Sequence, residues 1–179
     1  MLSHDALLVA GVKAGDESAF TAVVERYQGA IGRYLLRLVG NPTLAEDLCQ
    51  ETFFRAYRAL FKTDDNLALK SWLYRIATNV AYSALRRKRP PSVPLDYLEG
   101  QRRPRASAYL ERQLAQRDLV WRALLQVPPK YAIPLVLSAV EGFGYREIAE
   151  ILDLSPEATR KRIYRAKQRF RVAYRMLDE

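Results

Sequence analysis

Between Asp5 and Arg89 the apolar positions recur at spacings of three and four. Leu7, Leu8, Val12, Phe20, Val23, Val24, Tyr27, Ile31, Tyr34, Leu35 and Leu38 keep that rhythm, which gathers side chains from successive turns on one helical face. Gly40-Asn41-Pro42-Thr43 breaks it, with Thr43 a candidate N-cap for a helix from about Leu44 to Phe61. After a polar stretch from Lys62 to Asn66, Ser71 is expected to cap a further helix ending in Arg86-Arg87-Lys88-Arg89. Pro90-Pro91 stops it, because a proline disfavours the helical state of the residue before it. Residues 90–108 carry four prolines, a glycine and little periodicity, and read as a flexible linker. Beyond it, helices are predicted at roughly 109–126, 130–139, 145–152 and 156–176. The expected fold is all-α: two small helical domains, residues 1–91 and 109–179, joined by a flexible linker at 92–108.

The segment from Tyr145 to Ala166 has the pattern of a helix-turn-helix. Ile148, Ala149 and Leu152 share a face of a short helix, Asp153-Leu154 makes the turn, Ser155 is an N-cap and Pro156 occupies the first helical position. The next helix should bury Thr159, Ile163, Ala166 and Phe170, leaving Arg160, Lys161, Tyr164, Arg165, Gln168 and Arg171 outward. Eight Lys/Arg and one acid lie between Ser155 and Arg175, which suits a helix placed in a major groove. Arginine there can bridge the two acceptors of guanine while other cations hold phosphates. An amphipathic helix merely closing a bundle is the bland alternative.

Two helices of the first half carry unusual outer faces. On residues 44–61, Ala45, Leu48, Cys49, Thr52, Phe53, Ala56, Ala59 and Leu60 form the core stripe. The opposite face holds Asp47, Gln50, Glu51 and Arg58, with Phe54 and Phe61 in their midst. An aromatic centred on a polar face suggests a docking surface, unless another part of the chain covers it. On the helix from Trp72 to Arg89, Leu73, Ile76, Ala77, Val80 and Ala84 form the inner side. Arg75, Thr78, Asn79, Tyr82, Arg86 and Arg89 line the outer one, with Trp72 at its edge. Cations, an amide and aromatics on one stripe suit single-stranded nucleic acid, where rings stack on bases. Trp72 and Tyr82 packed into the core would be the structural alternative.

Charge strengthens the nucleic-acid reading. Residues 1–65 hold seven Lys/Arg and nine Asp/Glu, whereas the remainder hold 22 and 11, so the basic excess of the whole chain gathers in the second part. With 49% hydrophobic and 11% aromatic residues among 179, the chain can form real cores. Cys49 is the single cysteine and has no partner for an internal disulfide, and no apolar run approaches a membrane span. A reduced, cytoplasmic protein without a membrane insertion of its own is expected. One histidine, His4, the absence of metal-ligand spacing and the absence of a glycine-rich phosphate loop argue against an enzyme and against a cofactor.

Three segments carry a resemblance: DLCQETFFRAYRAL at 47–60, SWLYRIATNVAYSALRRKRPP at 71–91, and EGFGYREIAEIL with RKRIYRAK between 141 and 167. In order and spacing they resemble the extracytoplasmic-function sigma factors, members of the sigma-70 family that keep only its second and fourth conserved regions. The resemblance implies a partner, core RNA polymerase, engaged through its largest-subunit clamp and its flap. Asp47, Gln50, Glu51, Phe54, Arg55 and Arg58 fall in the part that grips the clamp. Trp72, Arg75, Asn79, Tyr82, Arg86 and Arg87 fall in the part that reads and opens the minus-ten element, with Asn79 near a pocket for a flipped base. Arg160, Lys161, Tyr164, Arg165, Gln168 and Arg171 fall on the reader of the minus-thirty-five element. Promoter DNA and an anti-sigma factor are further implied partners.

Two departures from the family pattern stand out. Lys62-Thr63-Asp64-Asp65 replaces a loop that often carries an early aromatic, with Phe61 just before it. Lys161 takes a place commonly held by a small residue, which implies an altered promoter preference. A helix-turn-helix repressor or activator that does not replace a sigma factor is the competing reading. It would explain residues 140–175 but leave Phe54 and the Trp72–Arg89 stripe unassigned.

Overall fold

The structure, a computed structural model, describes residues 3–64, 66–87 and 108–179, with side chains from residue 115 onward in the last segment. Eight helices and no strand are found among the described residues. They are α1 (His4–Lys13), α2 (Glu17–Val39), α3 (Pro42–Leu60), α4 (Leu69–Arg87), α5 (Ala108–Gln126), α6 (Pro129–Ala139), α7 (Tyr145–Leu152) and α8 (Pro156–Asp178). The linker expected at 92–108 lies outside the described residues except for Ala108, which opens α5.

Local chemistry sets most of the boundaries. Asp16 caps α2 by accepting from the Ser18 N–H at 2.9 Å. Gly40 ends α2 in the left-handed region at φ 66°, its N–H donating to the Leu36 carbonyl. The cap of α3 is Asn41 rather than Thr43, its side chain accepting from the Leu44 N–H at 2.9 Å. The reason is Pro42, whose ring suits the first helical turn and holds Asn41 in the extended conformation that an N-cap needs. Helix α4 starts at Leu69, two residues before the expected Ser71. Buried Leu69 anchors its first turn, which the Trp72 N–H closes onto the Ala68 carbonyl at 3.0 Å.

Helices α1 to α4 pack around Ile31, Tyr34, Leu35, Leu60, Leu73 and Tyr74, all fully buried. Helices α5 to α8 pack around Ile133, Leu137, Ile148 and Ile163. These two cores are continuous: α2 touches α5 and α6, and α4 touches α6 and α7. The halves therefore meet along a real interface.

Four helical-wheel expectations need correction. Leu7 is exposed, because α1 turns Val9 and Val12 inward instead. Ala59 is exposed, since the turn at the end of α3 commits Leu60 to the core. In α7, Ile151 is buried with Ile148 and Ala149, while Leu152 is only partly covered at the edge facing the first half. Thr78, placed on the outer stripe of α4, is 1% exposed, since α2 brings the Tyr34 hydroxyl to within 2.7 Å of its Oγ1. No described helix is long and apolar enough to cross a membrane.

Candidate functional site

Three helical faces hold the residues singled out from the sequence, and the structure does not gather them into one site. On α3, Asp47, Gln50, Phe54, Arg55 and Arg58 are exposed and Glu51 is half-buried. The inner face of the same helix is filled by Leu48, Thr52, Phe53 and Ala56, which fixes the roll of the helix and points Phe54 outward. Phe54 is 58% exposed, with the Arg58 guanidinium 5.6 Å from its ring centroid. Glu51 accepts from Arg55 Nε at 2.7 Å, one turn along the same face. Among the described residues only the Arg58 guanidinium is recorded over the ring, so the face is open for docking. Tyr57 and Phe61 extend it into a ladder, with Phe20 edge-on to Tyr57 at 4.9 Å and Tyr57 edge-on to Phe61 at 5.6 Å. Phe61 stands out on the helical wheel of residues 44–61, whereas Tyr57 joins the exposed face only in the structure.

Helix α4 gives a more divided picture. Arg75, Asn79, Arg86 and Arg87 are exposed. Trp72 and Tyr82 are half-buried against the core, so their rings are not open stacking platforms in this arrangement. Burial pushes the Tyr82 hydroxyl above its ordinary pKa, while nearby Arg162 of α8 pulls the other way. Asn79, Tyr82 and Arg86 line a cleft of about 760 Å³ whose far side is Pro129, Leu152 and Arg162. Half of the candidate DNA stripe thus faces the other half of the molecule.

The helix-turn-helix is built as its sequence suggests. The Glu147 carboxylate accepts from the Gly144 N–H at 2.8 Å and caps α7. Asp153 makes the turn at φ 53°, a left-handed conformation that a short polar side chain tolerates. Ser155 Oγ accepts from the Ala158 N–H at 3.1 Å, and Thr159 Oγ1 donates to the Ser155 carbonyl at 3.0 Å. Thr159, Ile163 and Ala166 are buried, Phe170 is partly covered, and Arg160, Lys161, Tyr164, Arg165, Gln168 and Arg171 are all exposed, Tyr164 at 66%. The Arg160 guanidinium lies 5.8 Å from the Tyr145 ring centroid, which steadies it at the start of this exposed face. A row of outward cations and an exposed phenol can meet phosphates and base edges in a groove.

The residues that join the halves were not found from the sequence. Arg37, Tyr74, Glu141 and Phe143 meet between α2, α4 and the turn before α7. The available signal was Glu141-Gly142-Phe143-Gly144, an acid and an aromatic set between glycines in the basic half.

Comparison with known proteins follows these faces. Sigma-70 region 2 matches residues 23–90, and Sigma-70, region 4 matches residues 117–170. The chain is 33% identical over 174 residues to the ECF RNA polymerase sigma-E factor of Escherichia coli strain K12, covering 92% of this chain and 91% of that protein. It is 30% identical over 180 residues to the ECF RNA polymerase sigma factor SigW of Bacillus subtilis, covering 93% and 94%. Among solved structures, CnrH in complex with the cytosolic domain of CnrY superposes with a TM-score of 0.72 at 25% identity, covering 95% of this chain and 96% of that one. The sigma factor RpoE of Bartonella quintana, in complex with the anti-sigma factor NepR, shares the fold with a TM-score of 0.67 at 21% identity, covering 87% and 96%.

Proposed function

The chain belongs to the ECF RNA polymerase sigma factors, and we propose that its exposed faces divide the work of that family between polymerase binding and promoter reading. It directs promoter-specific transcription initiation, and its family is not a class of enzymes. Residues 1–91 carry polymerase binding and minus-ten recognition, residues 109–179 carry minus-thirty-five recognition, and 92–108 join them. On α3, Asp47, Gln50, Glu51, Phe54, Arg55 and Arg58 dock on the clamp of the largest subunit, with Phe54 as the anchor; the second half meets the flap. On α4, Trp72, Arg75, Asn79, Tyr82, Arg86 and Arg87 hold the opened minus-ten strand, Asn79 reading a base and the cations holding phosphates. On α8, Arg160, Lys161, Tyr164 and Arg165 reach base edges, while Gln168 and Arg171 contact the backbone. The work is done in the cytoplasm, where promoter and polymerase are. An anti-sigma factor is a fitting further partner, since CnrH, similar along nearly its whole length, was solved bound to the cytosolic domain of another protein.

The observation that carries this reading over that of a free-standing repressor or activator is Phe54. The residue is 58% exposed at the centre of a polar face, and docking on a partner would remove its ring from water. Retention of core polymerase on immobilised protein tests it. Phe54→Ala should weaken retention at least tenfold, the scale of an interface anchor at about 2 kcal/mol or more, with the fold unchanged by circular dichroism. Equal retention of both proteins, or identical start sites from core enzyme with and without the wild-type chain, would sink the proposal.

A further inference from the structure

Helix α1 carries none of the candidate promoter or polymerase contacts, yet it is tied to the first half along its whole length. At ten residues it is marginal as a helix by itself in water. At its start, Asp5 accepts from the Tyr27 hydroxyl at 2.5 Å and pairs with Arg26 Nε at 3.1 Å, both on α2. Further along, a Cβ on Gly11 would meet Ala19 Cβ at 2.8 Å, so α1 lies against α2 at a separation that only glycine permits. Val9 and Val12 complete the seat by burial. The helix is a fixed strut rather than a loose terminus.

What the strut holds is at its far end. Lys13 stands in the last turn of α1, and its ammonium donates to the Thr63 carbonyl, 50 residues further along the chain. Thr63 lies in the short turn after α3, which is also closed from within. The Lys62 N–H donates to the Ala59 carbonyl at 3.0 Å and the Thr63 N–H to the Leu60 carbonyl at 3.1 Å. Thr63 Oγ1 donates to the same Leu60 carbonyl at 2.7 Å. Around this turn Phe61, Lys62 and Asp64 are left exposed. The sequence places Asp64 and Asp65 together, an acidic pair unfavourable to phosphate, and Lys13 brings an opposing charge to the segment.

We propose that Lys13 is a positioning residue for minus-ten recognition: from the anchored α1 it fixes the turn at residues 61–64, and so sets which bases the exposed Phe61, Lys62 and Asp64 accept beside α4. It rests on α4 and the turn before it holding the opened minus-ten strand. Lys13 itself touches no base. A turn held from outside presents one arrangement of ring, cation and acid. A released turn samples several arrangements, each favouring different bases, and the preference averages out. Helix α1 thereby takes part in promoter choice without being a reader.

Selection by the holoenzyme from a pool of duplexes randomised over both promoter elements tests this without a chosen promoter. Lys13→Met keeps the apolar stem and removes the donor and its charge, whereas Lys13→Arg keeps both. In Lys13→Met, enrichment of the preferred over the other bases at the minus-ten element should fall about fivefold, the low end of what one correct base pair is worth to a reader. Preference at the minus-thirty-five element and retention of core polymerase should be unchanged, which a general loss of fold would not spare. Lys13→Arg should keep the wild-type preference. Hydrogen exchange of the free chain gives a second reading: the Lys62 and Thr63 amides should exchange faster in Lys13→Met, while those within α3 and α4 keep the wild-type rate. Unchanged minus-ten preference in Lys13→Met, equal losses at both elements, no recovery in Lys13→Arg, or amides at 62 and 63 that exchange as in the wild type would each overturn the proposal. A wild type with no minus-ten preference at all would instead strike the assignment of α4, and exchange would still decide whether Lys13 orders the turn.

Discussion

Helices α4 and α8 carry similar residue types on their outer faces, cations with aromatics between them, yet the fold treats them differently. On α8 all six candidate readers are in solvent, and the helix is capped at Ser155, braced by Tyr145 under Arg160 and backed by Thr159, Ile163 and Ala166. On α4 the cations and Asn79 are exposed, while Trp72 and Tyr82 are half-buried and Thr78 is sealed against Tyr34. A major groove is a fixed shape, and a rigid preformed helix enters it with little to rearrange. A single strand exists only once the duplex opens, so a face proposed to hold one loses nothing by being covered until then. The two faces differ in readiness rather than in chemistry.

The sharpest way to break this comparison lies between adjacent residues of α8. Ile163 is 1% exposed in the core of the second half, whereas Tyr164 is 66% exposed. Ile163→Ala should destabilise the chain by about 2–5 kcal/mol through lost burial and a residual cavity, read as a lower urea midpoint. Tyr164→Ala should change stability by no more than about 0.5 kcal/mol while weakening binding to a promoter fragment. If Tyr164→Ala cost as much stability as Ile163→Ala, the face is structural and α8 is no preformed reader.

Much of α8 was legible because its determinants are local. Cap, proline, turn and one-sided charge occupy neighbouring positions, and the three- and four-residue spacing separates Thr159, Ile163 and Ala166 from the cations without reference to the rest of the chain. Phe54 was legible for the same reason, as its face is set by the opposite stripe of its own helix. What was missed depends on partners far away in sequence. Thr78 sits on the outer arc of α4 until Tyr34, 44 residues earlier, arrives to bond it. Tyr82 faces outward on a wheel but meets Arg162, and Glu141 looks like a surface acid until Arg37 and Tyr74 enclose it. A helical wheel gives direction from the axis, and only the tertiary fold says what occupies that direction.

On α8 itself the proposed division between base readers and phosphate holders gives the next test. Lys161 lies on the second turn of the helix and Arg171 three turns further on, both exposed. Lys161→Ala should relax sequence preference at the upstream element by about 1–3 kcal/mol of discrimination, measured by competition between promoter variants. Arg171→Ala should weaken binding to all of them alike and reduce the slope of log affinity against log salt by about 1. Equal loss of discrimination in both variants would place Arg171 among the base contacts and blur the distinction.

The smallest effect concerns what makes α8 ready in advance. Ser155 Oγ accepts from the Ala158 N–H at 3.1 Å, satisfying one of the amides that a helix start leaves without an intrahelical acceptor. Ser155→Ala should cost about 1 kcal/mol, and Ser155→Gly a few tenths, visible as ordered shifts in the thermal midpoint. Arg160 and Lys161 stand in the first turns that this cap holds. Fraying there should therefore reduce upstream-element binding more than the stability loss alone accounts for, because only the fraction of molecules with an ordered first turn is competent. Binding to a minus-ten single strand should be unaffected by the same change, since α4 lies in the other half of the chain. If both kinds of binding fell together, readiness would be a property of the whole molecule and not of α8.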